Sequence, residues 1–194
     1  LYSLLGSIGS SGGNQQPAGV PLNDVSGHEF VTDVQRSKTL GLQERPLGPP
    51  KNGWCTSRDL YHSILEGEPY RVRALLGFGQ NLVISHGGVE RGIEALKALE
   101  FHVQTDIFLT PTASYADIVL PVNTAWERDS LRVGFEITDA ANGWVQFRHA
   151  AVESAGESRD DGWMVFELAK RLGLADLFWG GDMDAAWREW LAPS

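Results

Sequence analysis

Cysteine is nearly absent from this 194-residue chain, which has one, Cys55. A single thiol closes no internal disulfide and cannot by itself hold a zinc or iron–sulfur site. Long apolar runs are missing too: no stretch approaches the ~20 residues that span a bilayer, and no charged leader precedes an apolar segment. Positive charge is scarce, 16 Lys and Arg against 25 Asp and Glu, for a formal net charge of -9. Nucleic acid and anionic membrane both need a basic face, so neither is the expected partner, and any bound phosphate must be held by a few local groups. Catalytic signatures are lacking as well. There is no nucleophile elbow, no His-Glu-x-x-His and no acid/base dyad, and His86 and His102 have no metal-ligand spacing with other His, Cys or acidic residues.

What remains is the composition of a folded protein, with 42% hydrophobic residues to fill a core. The seven tryptophans are scattered, as packing residues are. The opening "LYSLLGSIGSSGG" has no Met and reads as the last turns of a helix, Leu1 to Ile8, running into a glycine-rich loop, Gly9 to Gly19. This gives the expectation of an interior fragment of something longer. Val20 to Asn52 has little periodicity, so residues 1–55 are expected to be largely irregular.

From Thr56 the pattern changes. "TSRDLYHSILEGEP" offers an N-cap and apolar residues at helical spacing. "VRALLGFG" (Val72 to Gly79) is an apolar run ending in glycines, as in a strand buried on both faces of a parallel sheet. "VERGIEALKALE" predicts a helix with Ile93, Leu96 and Leu99 on one face, and "FHVQTD" (Phe101 to Asp106) the next strand. "ADIVLPV" gives a third strand. After Trp126 the chain is polar and broken to Gly143, "WVQFRHAAV" alternates like a strand or extended arm, and "DDGWMVFELAKRLGL" predicts a helix. The expected architecture is α/β: a Rossmann-like, open, mostly parallel sheet with flanking helices over residues 56–175. A helical tail occupies 176–194.

In such a sheet, ligands sit beyond the carboxyl ends of the strands. Two loops fall there, "GFGQNLVISHGG" after the first strand and "TDIFLTPTA" after the second. Gly77 and Gly79 would let backbone approach a ligand, and Asn81 offers an amide that donates and accepts. Yet Leu82 stands where a dinucleotide fingerprint wants its third glycine, so a simple turn is an equal reading. Asp106 ends the second strand, where a nucleotide site places an acid against ribose hydroxyls; a guanine edge would also suit it. Its alternative role is an Asx-turn, or a cap for a short helix with Thr110 or Thr112. Arg128 is the nearest cation after the third strand, either a charge partner or a solvated side chain. Asp117 has no ligand role that the pattern supplies; it is expected to cap or brace the loop from within the protein.

Three segments, "VRALLGFGQNLVIS", "ALEFHVQTDIFLTPTASYADIVLPVNTAWER" and "VQFRHAAVESAGESRDDGWMVFELAKRLG", together resemble the molybdopterin oxidoreductase family, the dimethyl sulfoxide reductase-like enzymes. The opening "LLGSIGSSGGN" resembles an interior segment of the same catalytic subunits. The resemblance runs collinearly from Leu1 to about Leu174. It implies a molybdenum or tungsten bis(molybdopterin guanine dinucleotide) cofactor. The guanine dinucleotide contacts it implies are Asn81 with its neighbours Gly79 and Gln80, then Thr105, Asp106, Thr110, Arg128 and Asp161. It further implies a 4Fe-4S cluster and the metal-ligating residue upstream, Cys55 matching neither, and a C-terminal domain downstream. The partners implied are the rest of the same polypeptide, a small-molecule redox substrate and an electron-transfer subunit. No catalytic or metal-ligating residue is expected within this chain. Two departures stand out: Leu82 replaces the usual proline, and the arm from Arg128 to Gln146 is longer than in the nitrate reductase branch. The rival readings are a stand-alone nucleotide-binding α/β module without redox chemistry, and a non-catalytic interaction domain.

Overall fold

The computed structural model describes residues 2–14, 19–134 and 138–194. Leu1 of the expected helix end, 15–18 of the expected glycine-rich loop and 135–137 of the arm lie outside the described residues. The chain forms two compact units. One comprises Ser26–Asn123 with Ala155–Asp161, and the other Leu1–Val25, Thr124–Ser154 and Gly162–Ser194.

The first unit holds the parallel sheet. A short helix α1 (Asp33–Ser37), which the weak periodicity of that region does not announce, is fixed by a capping box between Thr32 and Gln35. Helix α2 (Ser57–Leu65) starts at Thr56, whose hydroxyl accepts from the Asp59 N–H at 3.3 Å. Strand β1 (Ala74–Phe78) leads through helix α3 (Leu82–Ser85) and helix α4 (Val89–Ala98) to strand β2 (Phe101–Asp106), and strand β3 (Ile118–Pro121) follows. The order is β1-β2-β3, all parallel, with Ala74 opposite Phe101 and Val103 opposite Ile118. The expected mixed α/β layer of strands and flanking helices is therefore present. Its core lies where α2 and α4 meet: Tyr61, Ile64 and Ala95 are buried, with Leu60, Leu65, Val72, Ala98 and Leu99 packed against them. Gly92 makes that approach possible, since a Cβ there would lie 3.0 Å from the Tyr61 hydroxyl.

Beside α2, Arg45 reaches Asp59 in a short ion pair, and Thr56 Oγ1 donates to the same carboxylate at 2.7 Å. Burial pushes the Asp59 carboxyl up, but the hydrogen bonds from Arg45 and Thr56 and the guanidinium charge outweigh it and hold Asp59 below its usual range.

In the second unit, strand β4 (Ser130–Val133) pairs antiparallel with strand β5 (Val145–Arg148), Leu131 opposite Phe147, and helix α5 (Asp139–Asn142) lies between them in sequence. Helix α6 (Asp161–Arg171) opens at the last residue of the first unit. Helix α7 (Met183–Leu191) closes the chain, capped by Asp182. No helix among the described residues is long and apolar enough to cross a membrane.

Three local expectations change. Tyr2–Gly6 forms turns rather than a helix end, with Ser7 N–H donating to the Tyr2 carbonyl at 2.9 Å and Ile8 bridging to Asn14. The Gly- and Ser-rich sequence satisfies its backbone by doubling back instead of continuing a helix. β1 is not buried on both faces: Leu76 is 43% exposed and Phe78 39%, because β1 is an edge of a three-stranded sheet. And the broken stretch after Trp126 contains β4, four residues whose polar–apolar alternation is too short to stand out before β5 pairs with it.

Candidate functional site

The carboxyl ends of β1, β2 and β3 release the chain at Phe78, Asp106 and Pro121, and the loops that follow carry most of the expected ligand residues. Each is held in place by a specific bond.

Gly79 continues the β1–β2 ladder past the end of β1, its N–H donating to the Thr105 carbonyl at 2.9 Å. It does so at φ 55°, a left-handed conformation that favours glycine, and no atom lies within 4 Å of where a Cβ would stand. This turn presents bare backbone. Gln80 comes next, and its carbonyl accepts from Gln104 Nε2 at 3.0 Å.

Gln104 is fully buried in β2 and also donates to the Thr105 carbonyl at 3.2 Å. With both amide protons directed at carbonyls, its Oε1 faces His102 Nε2 at 3.4 Å. His102 is itself buried, and its Nδ1 has no partner among the described residues. Gln104 crosses β1 at Gly77, where a Cβ would lie 2.5 Å from Gln104 Oε1. So Gly77 makes room for the side chain that fixes Gln80.

Asn81 is half-buried, and its Oδ1 accepts from Thr112 Oγ1 at 2.9 Å. Asp106 is half-buried at the tip of β2. Its Oδ1 accepts from the Phe108 N–H at 3.1 Å, the Asx-turn foreseen as one of its roles, and Oδ2 has no partner among the described residues. One oxygen shapes the loop and the other is available to a ligand. Thr110 Oγ1 accepts from the N–H of Ala113, the first residue of the 3-10 turn Ala113–Tyr115, at 3.2 Å.

Thr105 is buried, and its hydroxyl donates to Asp161 Oδ1 at 3.2 Å. That contact joins residues 56 apart in sequence, and the segment before Asp161 explains it. Arg159 bridges in parallel to Val122, Asn123 N–H donates to the Arg159 carbonyl at 2.9 Å, and buried Asn123 Nδ2 donates to buried Ser158 Oγ at 2.9 Å. The segment 155–161 is thus stitched onto the exit of β3 and carries Asp161 to Thr105.

The structure brings Gly79, Gln80, Asn81, Thr105, Asp106, Thr110 and Asp161 into one unit. Arg128 belongs to the other, half-buried after Glu127, whose carboxylate accepts from the Thr124 N–H and hydroxyl at 2.7 and 2.6 Å. Asp117 answers the expectation of an internal brace: its Oδ2 accepts from the His102 N–H at 2.7 Å while its own N–H donates to the His102 carbonyl at 2.8 Å.

Four residues of this network are missing from the expected site: His102, Gln104, Thr112 and the Asn123–Ser158 pair's buried amide. A signal for two of them existed. In "FHVQTD" the alternate positions 102 and 104 are polar on a strand whose fold requires burial, and a buried polar side chain must be bonding something specific.

The arrangement combines bare glycine backbone at Gly79 with the side-chain amide of Asn81 and the carboxylates of Asp106 and Asp161, a set suited to binding and orienting a polar ligand. Among the described residues no three His, Cys, Asp or Glu side chains gather as a metal site.

The sequence matches the molybdopterin oxidoreductase family over residues 3–171. Dopamine dehydroxylase of Eggerthella lenta is 31% identical over 181 residues, covering 89% of this chain and 17% of that protein. The F420-dependent formate dehydrogenase subunit alpha of Methanocaldococcus jannaschii is 37% identical over 107 residues, covering 55% of this chain and 15% of that protein. The chain thus spans about a sixth of the length of these relatives. Among solved structures, acetylene hydratase from Pelobacter acetylenicus superposes with a TM-score of 0.78 at 22% identity, over 95% of this chain and 29% of that one, a likeness of fold. By its sequence and by the α/β layer that carries the site, the chain belongs to the molybdopterin oxidoreductase family.

Proposed function

We propose that this chain is the part of a molybdenum or tungsten bis(molybdopterin guanine dinucleotide) oxidoreductase that holds a guanine dinucleotide end of the cofactor. The observation that carries the reading is the convergence of Gly79–Asn81, Asp106 and Asp161 at the carboxyl edge of the parallel sheet. The donor set fits the group. A guanosine diphosphate offers acceptor oxygens on phosphate and ribose, and donors on the ribose hydroxyls and the guanine edge. Gly79 supplies close backbone, Asn81 an outward amide, and Asp106 Oδ2 an acceptor. Thr105, its hydroxyl bonded to Asp161, acts by placing that carboxylate. Thr110 supports the loop, and Arg128 is assigned the role of charge partner on the resemblance of its sequence position.

When bound, the cofactor supplies the redox chemistry at its metal. What the chain's own residues do is bind and orient. The relatives' names span a dehydroxylase, a formate dehydrogenase and a hydratase, so one cofactor-binding layer serves several reactions. The substrate, an upstream 4Fe-4S cluster and an electron-transfer subunit belong to the proposal for the whole protein.

The test is Asp106→Ala in the full-length protein, with molybdenum or tungsten and guanine nucleotide measured per chain. Occupancy is expected to fall. Unchanged occupancy would leave Asp106 as a turn former and remove the reading. Full occupancy by a guanine nucleotide without metal would instead favour a nucleotide-binding module.

A further inference from the structure

We infer that Thr112 is a positioning residue for the proposed cofactor site: it takes over the capping of α3 and so turns Asn81 from a helix cap into a ligand donor. The inference rests on the reading of Asn81 given above. Helix α3 begins at Leu82, which makes Asn81 its N-cap, and asparagine is among the residues that best fill that position by accepting from the second or third helical N–H. Asn81 makes no such bond. The N–H it would take, that of Val83, donates instead to Thr112 Oγ1 at 3.0 Å, from a loop 29 residues away in sequence.

The polarity of this relay follows from proton counting. A backbone N–H only donates, so the Thr112 hydroxyl accepts from Val83 and has its own single proton to give. That proton goes to Asn81 Oδ1 at 2.9 Å. Asn81 therefore shows its oxygen to Thr112 and turns its NH2, which has no partner among the described residues, away from it. Its two N–H donors are matched to the acceptor oxygens of a phosphate or ribose rather than to a donor.

Thr112 is well placed to impose this. It is fully buried, and the turn around it is locked by Thr110 Oγ1 accepting from the Ala113 N–H and by the Tyr115 N–H donating to the Thr112 carbonyl at 3.1 Å. Without the hydroxyl, Asn81 Oδ1 would be free to rotate onto the Val83 N–H and cap α3 in the ordinary way, swinging the NH2 off target. Loss of Thr112 should thus spare the helix start and damage ligand binding, the reverse of what a merely structural threonine would do.

The experiment uses the full-length protein and follows the release of guanine nucleotide and metal on mild warming, with hydrogen exchange of the 82–85 segment as the structural readout. Thr112→Val is expected to release cofactor roughly tenfold faster, the equivalent of one well-placed hydrogen bond. Exchange at 82–85 should stay near wild type. Thr112→Ser, which keeps the hydroxyl, should restore retention. Asn81→Ala should release cofactor about as fast as Thr112→Val, and the double variant no faster than Asn81→Ala alone, since Thr112 acts through Asn81. The inference is overturned if Thr112→Val retains cofactor while Asn81→Ala loses it. Additive losses, failure of Thr112→Ser to rescue, or faster exchange at 82–85 in Thr112→Val would also overturn it. If Asn81→Ala releases no faster than wild type, the reading of Asn81 as a contact fails first and takes the inference with it.

Discussion

Gly77→Ala is the sharpest probe of how the site loop is held. Gly77 is buried in β1, and an added methyl would lie 2.5 Å from Gln104 Oε1, 2.6 Å from Gln80 Nε2 and 3.2 Å from Gln104 Cδ. The contact with Gln80 is cheap to relieve, because that atom ends a flexible, half-buried side chain. Gln104 has nowhere to go: it is fully buried and its amide donates to the Gln80 and Thr105 carbonyls. Moving it costs two hydrogen bonds at about 1 kcal/mol each, and forcing a methyl into a packed site typically costs about 1–3 kcal/mol. The sum is about 3–5 kcal/mol, felt locally where Gly79 N–H bonds the Thr105 carbonyl. Hydrogen exchange of a peptide covering 77–82 in the full-length protein reads this directly. At 1.4 kcal/mol per factor of ten, the variant should exchange on the order of 100- to 4,000-fold faster wherever local opening governs exchange. Pairing it with Gln104→Ala makes the test specific. Gln104→Ala alone should loosen the same peptide, and Gly77→Ala should add little on top of it, because the obstructing group is already gone. Additive effects, or a Gly77→Ala protein that exchanges like wild type, would refute the claim that Gln104 crossing Gly77 fixes the loop.

Two further outcomes follow from the same bonds. Because Asp59 titrates below its ordinary value in the folded chain, near 3.9 for an unperturbed aspartate, the stability it contributes is present above about pH 4 and lost as pH falls through the depressed folded value. Asp59→Asn should therefore flatten the acid limb of thermal unfolding measured from about pH 6 to pH 3, and parallel limbs in the two proteins would refute the role of the Arg45 pair. Asp117→Ala removes the acceptor for the His102 N–H and should speed exchange across 101–104 by roughly tenfold, with Asp117→Asn retaining most of the protection through its amide oxygen; equal exchange in the two variants would show that this acceptor is not what holds the strand.

Periodicity made the sheet legible, and it did so where the chain's local preferences and its tertiary needs agree. α2 begins at the Thr56 cap, and β2 occupies the whole of Phe101–Asp106, because apolar spacing, capping and burial point the same way there. β4 was illegible for the opposite reason. Its four residues alternate polar and apolar over too short a span to stand out, and only pairing with β5, well downstream, makes them a strand. Exposure is illegible in a third way: the apolar run suits a strand buried on both faces, whereas β1, at the edge of the sheet, leaves Leu76 and Phe78 substantially open.

The site divides along the same line. Glycines, Asn81 and Asp106 can be found by type and position, since each bears chemistry that a carboxyl-edge loop needs. What sequence could not assign was who bonds whom. The Asx-turn and the ligand role looked like rivals for Asp106, yet the Phe108 N–H occupies one carboxylate oxygen and leaves the other. For Asn81 the cap and the proposed ligand role call for different orientations of one side-chain amide, and the Thr112 hydroxyl holds the oxygen away from the Val83 N–H. A carboxylate can divide its work because it has two equivalent acceptors; an amide, with one acceptor and one donor group fixed back to back, cannot. On the proposed reading, that asymmetry gives the Thr112 hydroxyl its use, and the "TPTA" stretch then matters as much for the proton it sends to Asn81 as for any atom it shows to solvent.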